Sequence, residues 1–315
     1  MMFASKNKKY LLAGFVTLAL SGVVLLSCHK TDANGNVVVP ESMTAGKITV
    51  LVDESVQPVI ESVVDVFHSV YPNAHINQVN TTENEIVNAM LGDSVTTVVM
   101  TRPLSKKEEN HFTKHGMTPE VTFVATDALA VITAGKPADT TITTAEIFKV
   151  LKGEPSARIS KLVLDNPNSG TVRYLMEQAG VQKLPVNNII YQKNSAELIT
   201  FVNNNPGSIG IVGVDWVNEP TPQLQKVVEN LTVLAVDNVK AKSEGATFFK
   251  PSQSNIGAGF YPFTRKIYVL NYQGYKGLGI GFANYTRAEV GQRIILKSGL
   301  LPQDIPTREI QIIKE

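Results

Sequence analysis

Residues 162–180 read LVLDNPNSGTVRYLMEQAG. An apolar run, Leu162 to Leu164, passes through Asp165, Asn166, Pro167, Asn168, Ser169, Gly170 and Thr171 into a segment of helical character. The junction has two readings. Ser and Thr are good N-caps, because their side-chain oxygens accept bonds from the free N–H groups of a first helical turn. The same geometry can hold an anion, since a helix N-terminus combines unpaired donors with the positive end of the peptide dipoles.

Outward from this stretch, short apolar strands alternate with amphipathic helices along most of the chain. KITVLV (47–52) predicts a strand. The helix after it places Val56, Val59, Ile60, Val63, Phe67 and Val70 at helical spacing, with Pro58 in its first turn. Thr82 and Glu85 form a capping box, TTVVMT (96–101) predicts a second buried strand, and Ser105 caps a third helix. VTFVATDALAVITAG (121–135) is longer than an ordinary strand and carries a polar break at Thr126–Asp127. GAGFYPFTRKIYVL (257–270) predicts a second long extended segment with its own break. Between them lie the capped helix TTAEIFKVLKG, a helix over 195–204 and strands at 208–213 and 231–236. The chain closes on a single apolar helix in GLGIGFANYTRAEVGQRIILKSG. This alternation predicts an α/β fold with largely parallel sheets. The two long segments read as crossovers between two lobes.

The N-terminal residues predict a destination. Lys6, Lys8 and Lys9 precede an apolar run, Leu11 to Leu26, that ends in LLSC, the shape of a secretory signal over 1–27. Leu25–Ser27–Cys28 resembles the lipobox of bacterial lipoproteins, which makes Cys28 the expected lipidation site, a lipid anchor in the cell envelope facing the periplasm. Residues 28–45 are polar and turn-rich and predict a flexible tether. Cys28 is the single cysteine, so no intramolecular disulfide forms. The formal charge of +1 argues against nucleic acid as a partner. The roughly 270 residues after the tether suffice for two cores.

TRPLSKKE (101–108), VATDALAVIT (124–133), AEIFKVLKG (145–153), DNPNSGTVRYLME (165–177), NPGSIGIVG (205–213), YPFTRKIYVL (261–270) and GQRIILKSGLLP (291–302) occur in an order that resembles the phosphate-binding proteins of ABC transporters. The resemblance implies a two-lobed type II periplasmic binding fold, each lobe a mixed, mostly parallel sheet flanked by helices, with the ligand in the cleft between them. It places one lobe at 46–125 and 259–315 and the other at 126–258. The implied ligand is inorganic phosphate or a similar oxyanion, the implied partner an ABC permease, and the implied state a monomer. NSGT corresponds to the family's anion loop, which carries Asn168, Ser169, Gly170 and Thr171 over as ligand contacts. The first strand-to-helix turn adds Ser55 and Val56, the NTTE turn adds Thr81 and Thr82, and the end of the second buried strand adds Thr101 and Arg102.

The charged positions depart from the enteric pattern. Those proteins carry Asp where this chain has Arg102, and Arg where it has Asp165. One cation and one acceptor survive if Arg102 and Asp165 meet across the cleft, and a structural salt bridge of Asp165 with Arg102 or Arg173 is the competing reading. Arg173 itself reaches the anion or a neighbouring acid, or else lies on a solvated helix face. Asp127 fixes the hinge or is an ordinary turn residue, and Trp216 faces the cleft or packs.

Nothing in the sequence carries the signature of an enzyme. His111 and His115 have the i, i+4 spacing that metals use but lack carboxylate or thiolate companions, so neither a metal nor a cofactor is expected. No G-x-S-x-G elbow or Walker loop is present, and Ser169 has no histidine in its vicinity in sequence. Two roles fit a tethered binding protein: delivery of the ligand to a permease, or a sensing or TonB-associated role with a different anion or none.

Overall fold

From β1 (Gly46–Asp53) the chain passes through one 3-10 turn, Glu54–Val56, into α1 (Gln57–Val70) and returns as β2 (Ala74–Thr81). Next come α2 (Glu83–Leu91), β3 (Thr97–Met100), α3 (Lys106–Lys114) and the long β4 (Glu120–Ala134). The following stretch holds β5 (Thr141–Ile142), α4 (Thr144–Leu151), β6 (Lys161–Leu164), α5 (Gly170–Ala179), β7 (Ile189–Tyr191), α6 (Ser195–Asn204) and β8 (Ser208–Gly213). Short α7 (Asp215–Asn218), α8 (Gln225–Glu229), β9 (Leu231–Val233), β10 (Ala235–Asp237), β11 (Phe248–Phe249) and α9 (Gln253–Gly257) lead to β12 (Thr264–Asn271). Helices α10 (Leu278–Arg287) and α11 (Glu289–Lys297) and strand β13 (Leu301–Pro302) complete the order. These elements come from a computed structural model that describes residues 40–238 and 247–305. The expected signal segment and residues 28–39 of the expected tether, Cys28 among them, lie outside the described residues. Of the tether's described end, Glu41 accepts from Gln273, Tyr275 and Leu278 while Ala45 is buried, so that end is docked on the fold.

Local chemistry explains why these segments fold where they do. Pro58 sits in the first turn of α1, where no N–H is needed, and Val59, Ile60, Val63 and Phe67 bury one face. The capping boxes Thr82–Glu85, Ser105–Glu108 and Thr143–Glu146 open α2, α3 and α4, each satisfying two orphan donors. Strand β8, SIGIVG, is buried along its whole length, as a strand covered on both faces must be.

The main sheet runs in the order β2-β1-β3-β12-β4-β8-β6-β7, with β9 and β13 also pairing with β4. Strands β2, β1 and β3 are mutually parallel, as are β8, β6 and β7, while β12 and β4 run antiparallel to their neighbours. Strand β4 joins the two wings. Its residues Glu120 to Ala128 pair with β12, and Leu129 to Thr133 pair with β8.

Four expectations are corrected. The polar residues Thr126–Asp127 do not interrupt β4, because Asp127 is buried and paired with Arg265 within the sheet. The second long segment is extended only from Thr264; before it lie α9 and a turn in which Gly259 has φ +70°. Residues 231–236 form two strands, since at Leu234 the chain leaves β4 and goes on to pair with β5. The terminal helix is two helices, parted at Ala288, whose extended backbone ends one and opens the other.

Phe67 anchors α1 to the last helices. Its ring lies 4.9 Å from Tyr71, 5.0 Å from Tyr285 and 6.0 Å from Phe282, centroid to centroid. Chain segments more than two hundred residues apart are thereby packed into one wing. Phe67→Ala should lower the unfolding free energy by about 3–5 kcal/mol in denaturant titration, the usual cost of emptying such a site. A loss under about 1 kcal/mol would show that the cluster contributes little.

Candidate functional site

The carboxyl ends of β1, β3 and β6 converge where β4 and β12 cross between the wings. At the centre is Arg265, on β12 and only 4% exposed. Its Nε donates to Asp127 Oδ2 at 2.8 Å, Nη1 to Thr171 Oγ1 at 3.2 Å and Nη2 to Ser55 Oγ at 2.9 Å. One guanidinium therefore ties the turn after β1, the middle of β4 and the first turn of α5. Asp127 also accepts from the Ala128 N–H at 2.7 Å.

Above Arg265, the turn after β1 and the start of α5 close on each other. Asp53 Oδ1 accepts from Ser55 N at 3.1 Å and Ser55 Oγ at 2.8 Å, and Oδ2 accepts from Thr101 Oγ1 at 3.4 Å. A Cβ added to Gly170 would stand 2.2 Å from Asp53 Oδ2 and 2.5 Å from Thr101 Oγ1, so only glycine fits. Ser169 caps α5, accepting from Val172 N at 3.1 Å, and donates to Asp165 Oδ1 at 2.5 Å. The cap anticipated from the sequence is thus present, with the Asp165 and Asp53 carboxylates and the Thr101 hydroxyl beside it.

The sequence-predicted residues divide into two groups. Ser55, Thr101, Asp165, Ser169, Gly170 and Thr171 meet in the buried centre. Val56 joins them through its place in the turn, while its side chain packs into the core. Thr81 and Thr82 stand at the mouth of a cavity of about 510 Å³ that Glu54, Asn166 and Lys193 also line. Both threonine hydroxyls are engaged with Glu85.

Arg102 does not reach the centre. Its Nε binds Glu83 at 2.8 Å and its Nη1 and Nη2 bind Glu108 at 2.8 and 3.0 Å, because the two capped helices bring both carboxylates to it. Arg102 and Asp165 therefore do not form a cross-cleft pair, and Asp165 bonds instead to Ser169. Arg173 reaches an acid: its Nε binds Glu83 at 2.7 Å, and its Nη1 binds Glu177 at 2.9 Å. Asn84 Nδ2 donates to Asn168 Oδ1 at 3.0 Å. With Ser195 donating to Glu54 at 2.9 Å and 3.1 Å, these contacts hold the wings together around the centre.

Sequence reasoning missed Arg265, Asp53 and Glu83. Arg265 had a readable signal, since alternation along FTRKIYV places it on the same inward face as Phe263, Ile267 and Val269. A cation on that face demands acceptors, and Asp127 in the neighbouring strand is one. Trp216 does both things expected of it: it is 2% exposed in a core cluster with Val212 and Leu198, and it also lines the cavity beside Thr81 and Thr82. The rings of His111 and His115, on α3 and its C-cap, lie 4.8 Å apart and tilted by 46°, and His115 Nδ1 lies 2.8 Å from the His111 carbonyl. Among the described residues no group of three or more His, Cys, Asp or Glu is arranged to hold a metal.

Burial dominates the acids of the centre. Desolvation pushes Asp165 up to about 7, against the bond from Ser169. It pushes Glu54 up to about 8, helped by the charge of Asp165. Asp53, Asp127 and Asp215 are raised by burial too, and Arg265 keeps its charge because Asp127 and Asp53 outweigh its own desolvation.

These acids hold protons more tightly in the native state than in the unfolded chain. The stability they contribute is complete below about pH 4 and is lost as pH rises through 7 and 8. The thermal midpoint should therefore fall between about pH 5 and pH 8.5, and Asp165→Asn should flatten that slope. A midpoint that climbs over this window would contradict the assignment.

The sequence matches the profile of the PBP superfamily domain over residues 37–289. The phosphate-binding protein PstS of Pseudomonas aeruginosa is 28% identical over 169 residues, 52% of this chain and 48% of that protein. The chain thus spans about half the length of the curated relatives it matches. Among solved structures, a phosphate ABC transporter substrate-binding protein from Clostridium perfringens, with bound phosphate, superposes with a TM-score of 0.66 at 19% identity. It covers 82% of this chain and 100% of its own. An ABC-type phosphate transport receptor from Vibrio cholerae superposes with a TM-score of 0.59 at 16% identity over 82% and 100% of the two chains. At such identities the likeness speaks for the fold, two sheet wings joined by a long shared strand. The chain belongs to the PBP superfamily and has the two-lobed type II fold of a periplasmic binding protein.

Proposed function

We propose that this protein is a solute-binding protein, not an enzyme, that captures inorganic phosphate between its wings and delivers it to an ABC permease. The observation that carries the reading is that Arg265 joins Ser55 to Thr171, while Asp53 joins Ser55 to Thr101 directly against Gly170, where Ser169 caps the start of α5. Hydroxyl and N–H donors with a single buried guanidinium suit a tetrahedral oxyanion, which presents acceptors in every direction. The names of the matched relatives support phosphate among such anions.

Asp165, held near neutrality by burial, gives the site a group that exchanges a proton close to pH 7. A carboxylate there accepts a bond from hydrogen phosphate and has nothing to accept from sulfate, which disfavours the fully ionised anion. The wings, 46–125 with 259–315 and 126–258, hinge about the crossing of β4 and β12 to admit and release the ligand. The protein works in the cell envelope as a monomer, facing the periplasm and held by lipid on Cys28.

Calorimetry should show phosphate binding and much weaker sulfate binding. Thr171→Ala should cost about 1–3 kcal/mol of affinity, the scale for losing one partner of a buried charge-assisted bond. Arg102→Gln should change affinity little, since Arg102 serves Glu83 and Glu108. Folded protein that binds no phosphate would refute the assignment. The anchor has its own check: Cys28→Ser should leave the precursor unlipidated and free of the membrane fraction, and unchanged fractionation would count against it.

A further inference from the structure

The donors expected to hold the anion already hold one of the chain's own carboxylates. Asp53 takes the Ser55 N–H and hydroxyl on Oδ1 and the Thr101 hydroxyl on Oδ2. Its Oδ2 also lies against Gly170 at the N-terminus of α5, the end of a helix that favours negative charge. Arg265 lies behind the same Ser55 hydroxyl. Capping the 3-10 turn at Glu54–Val56 explains Oδ1 alone. It does not explain why Oδ2 fills the space beneath Gly170, nor why a second carboxylate, that of Glu83, stands 3.0 Å from where a Gly170 Cβ would be.

Each of these carboxylates costs desolvation and repels the other, and burial disfavours the charged form of Asp53. A free oxyanion brought to this place would meet the same donors and the same helix end. It would also meet a carboxylate in its way, and two anions cannot share one set of donors. Resting on the reading of this centre as an oxyanion site, we propose that Asp53 is a tethered occupant of the cradle: its carboxylate stands in for the ligand, and an external anion enters by displacing it. Asp53 thus sets affinity and selectivity. A tethered competitor lowers the apparent affinity for every anion and penalises most those of full charge, which bring the strongest repulsion against it.

The test is anion binding by full-length wild type, Asp53→Ala and Asp53→Asn, with inorganic phosphate and sulfate as probes, read by calorimetry and by thermal midpoint. Asp53→Ala removes the occupant and leaves Ser55 and Thr101 without their acceptor. It should melt below wild type in anion-free buffer, regain stability as phosphate is added, and bind phosphate at least about tenfold more tightly than wild type. Sulfate binding should rise by a larger factor, so selectivity falls. Asp53→Asn keeps the shape and one acceptor oxygen while removing the charge, so it should bind phosphate with an intermediate gain, and it carries the test if the alanine variant does not fold.

If phosphate binds wild type and the Asp53 variants equally, or the variants more weakly, Asp53 is no competitor and the proposal falls, while the phosphate assignment stands. If wild type binds neither anion and the variants bind both, the proposal holds and the phosphate assignment falls. If no folded variant binds either anion, both fall.

Discussion

Arg265 enters the fold on a strand whose next inward positions, Ile267 and Val269, are apolar, and it is buried where the wings meet. A guanidinium there is tolerable only if its donors are satisfied and its charge is answered. Asp127 answers the charge from the adjacent strand, and Ser55 and Thr171 each accept from one terminal nitrogen, from opposite wings. Removing one partner of such a buried pair costs about 3–5 kcal/mol, so the pair also fastens β12 to β4. The turn after β1 and the start of α5 take their positions from it. The cap at Ser169, the glycine at 170 and the buried hydroxyls then follow from how closely those two segments must approach.

This arrangement concentrates acids. Asp53, Asp127, Asp165 and Asp215 are all fully or almost fully buried within reach of one cation. They cannot all be ionised cheaply, which is why burial raises each of them. The rim has the opposite character, for Arg102 and Arg173 share Glu83 there while Glu108 and Glu177 hold their outer ends. The arginines at the rim are thus closed into pairs, whereas the centre holds buried acids and hydroxyls around one guanidinium.

The fold was largely legible because its signals are local. Capping boxes at Thr82, Ser105 and Thr143 and the helix over 195–204 are written in a few adjacent residues, and they form as read. The cap at Ser169, which opens the helix from Gly170, was legible for the same reason. What escaped depends on contacts across the sheet. The polar pair Thr126–Asp127 looks like a break until Arg265, far along the chain, is seen to partner Asp127. Arg102 follows a strand end that points toward the cleft, yet Glu83 and Glu108 capture it, because helix caps place carboxylates where the arginine must pass. Asp53 reads as an ordinary N-cap, and only the approach of Gly170 shows what its second oxygen does.

The central claim is that the space between Ser55, Thr101 and the start of α5 is an oxyanion cradle. A crystal structure of the protein soaked with inorganic phosphate tests it most directly. The account predicts phosphate bound by the Ser55 and Thr101 hydroxyls and the first N–H groups of α5, with the Asp53 carboxylate turned out of the cradle. Phosphate seated elsewhere, with Asp53 still bonded to Ser55 and Thr101, would contradict it.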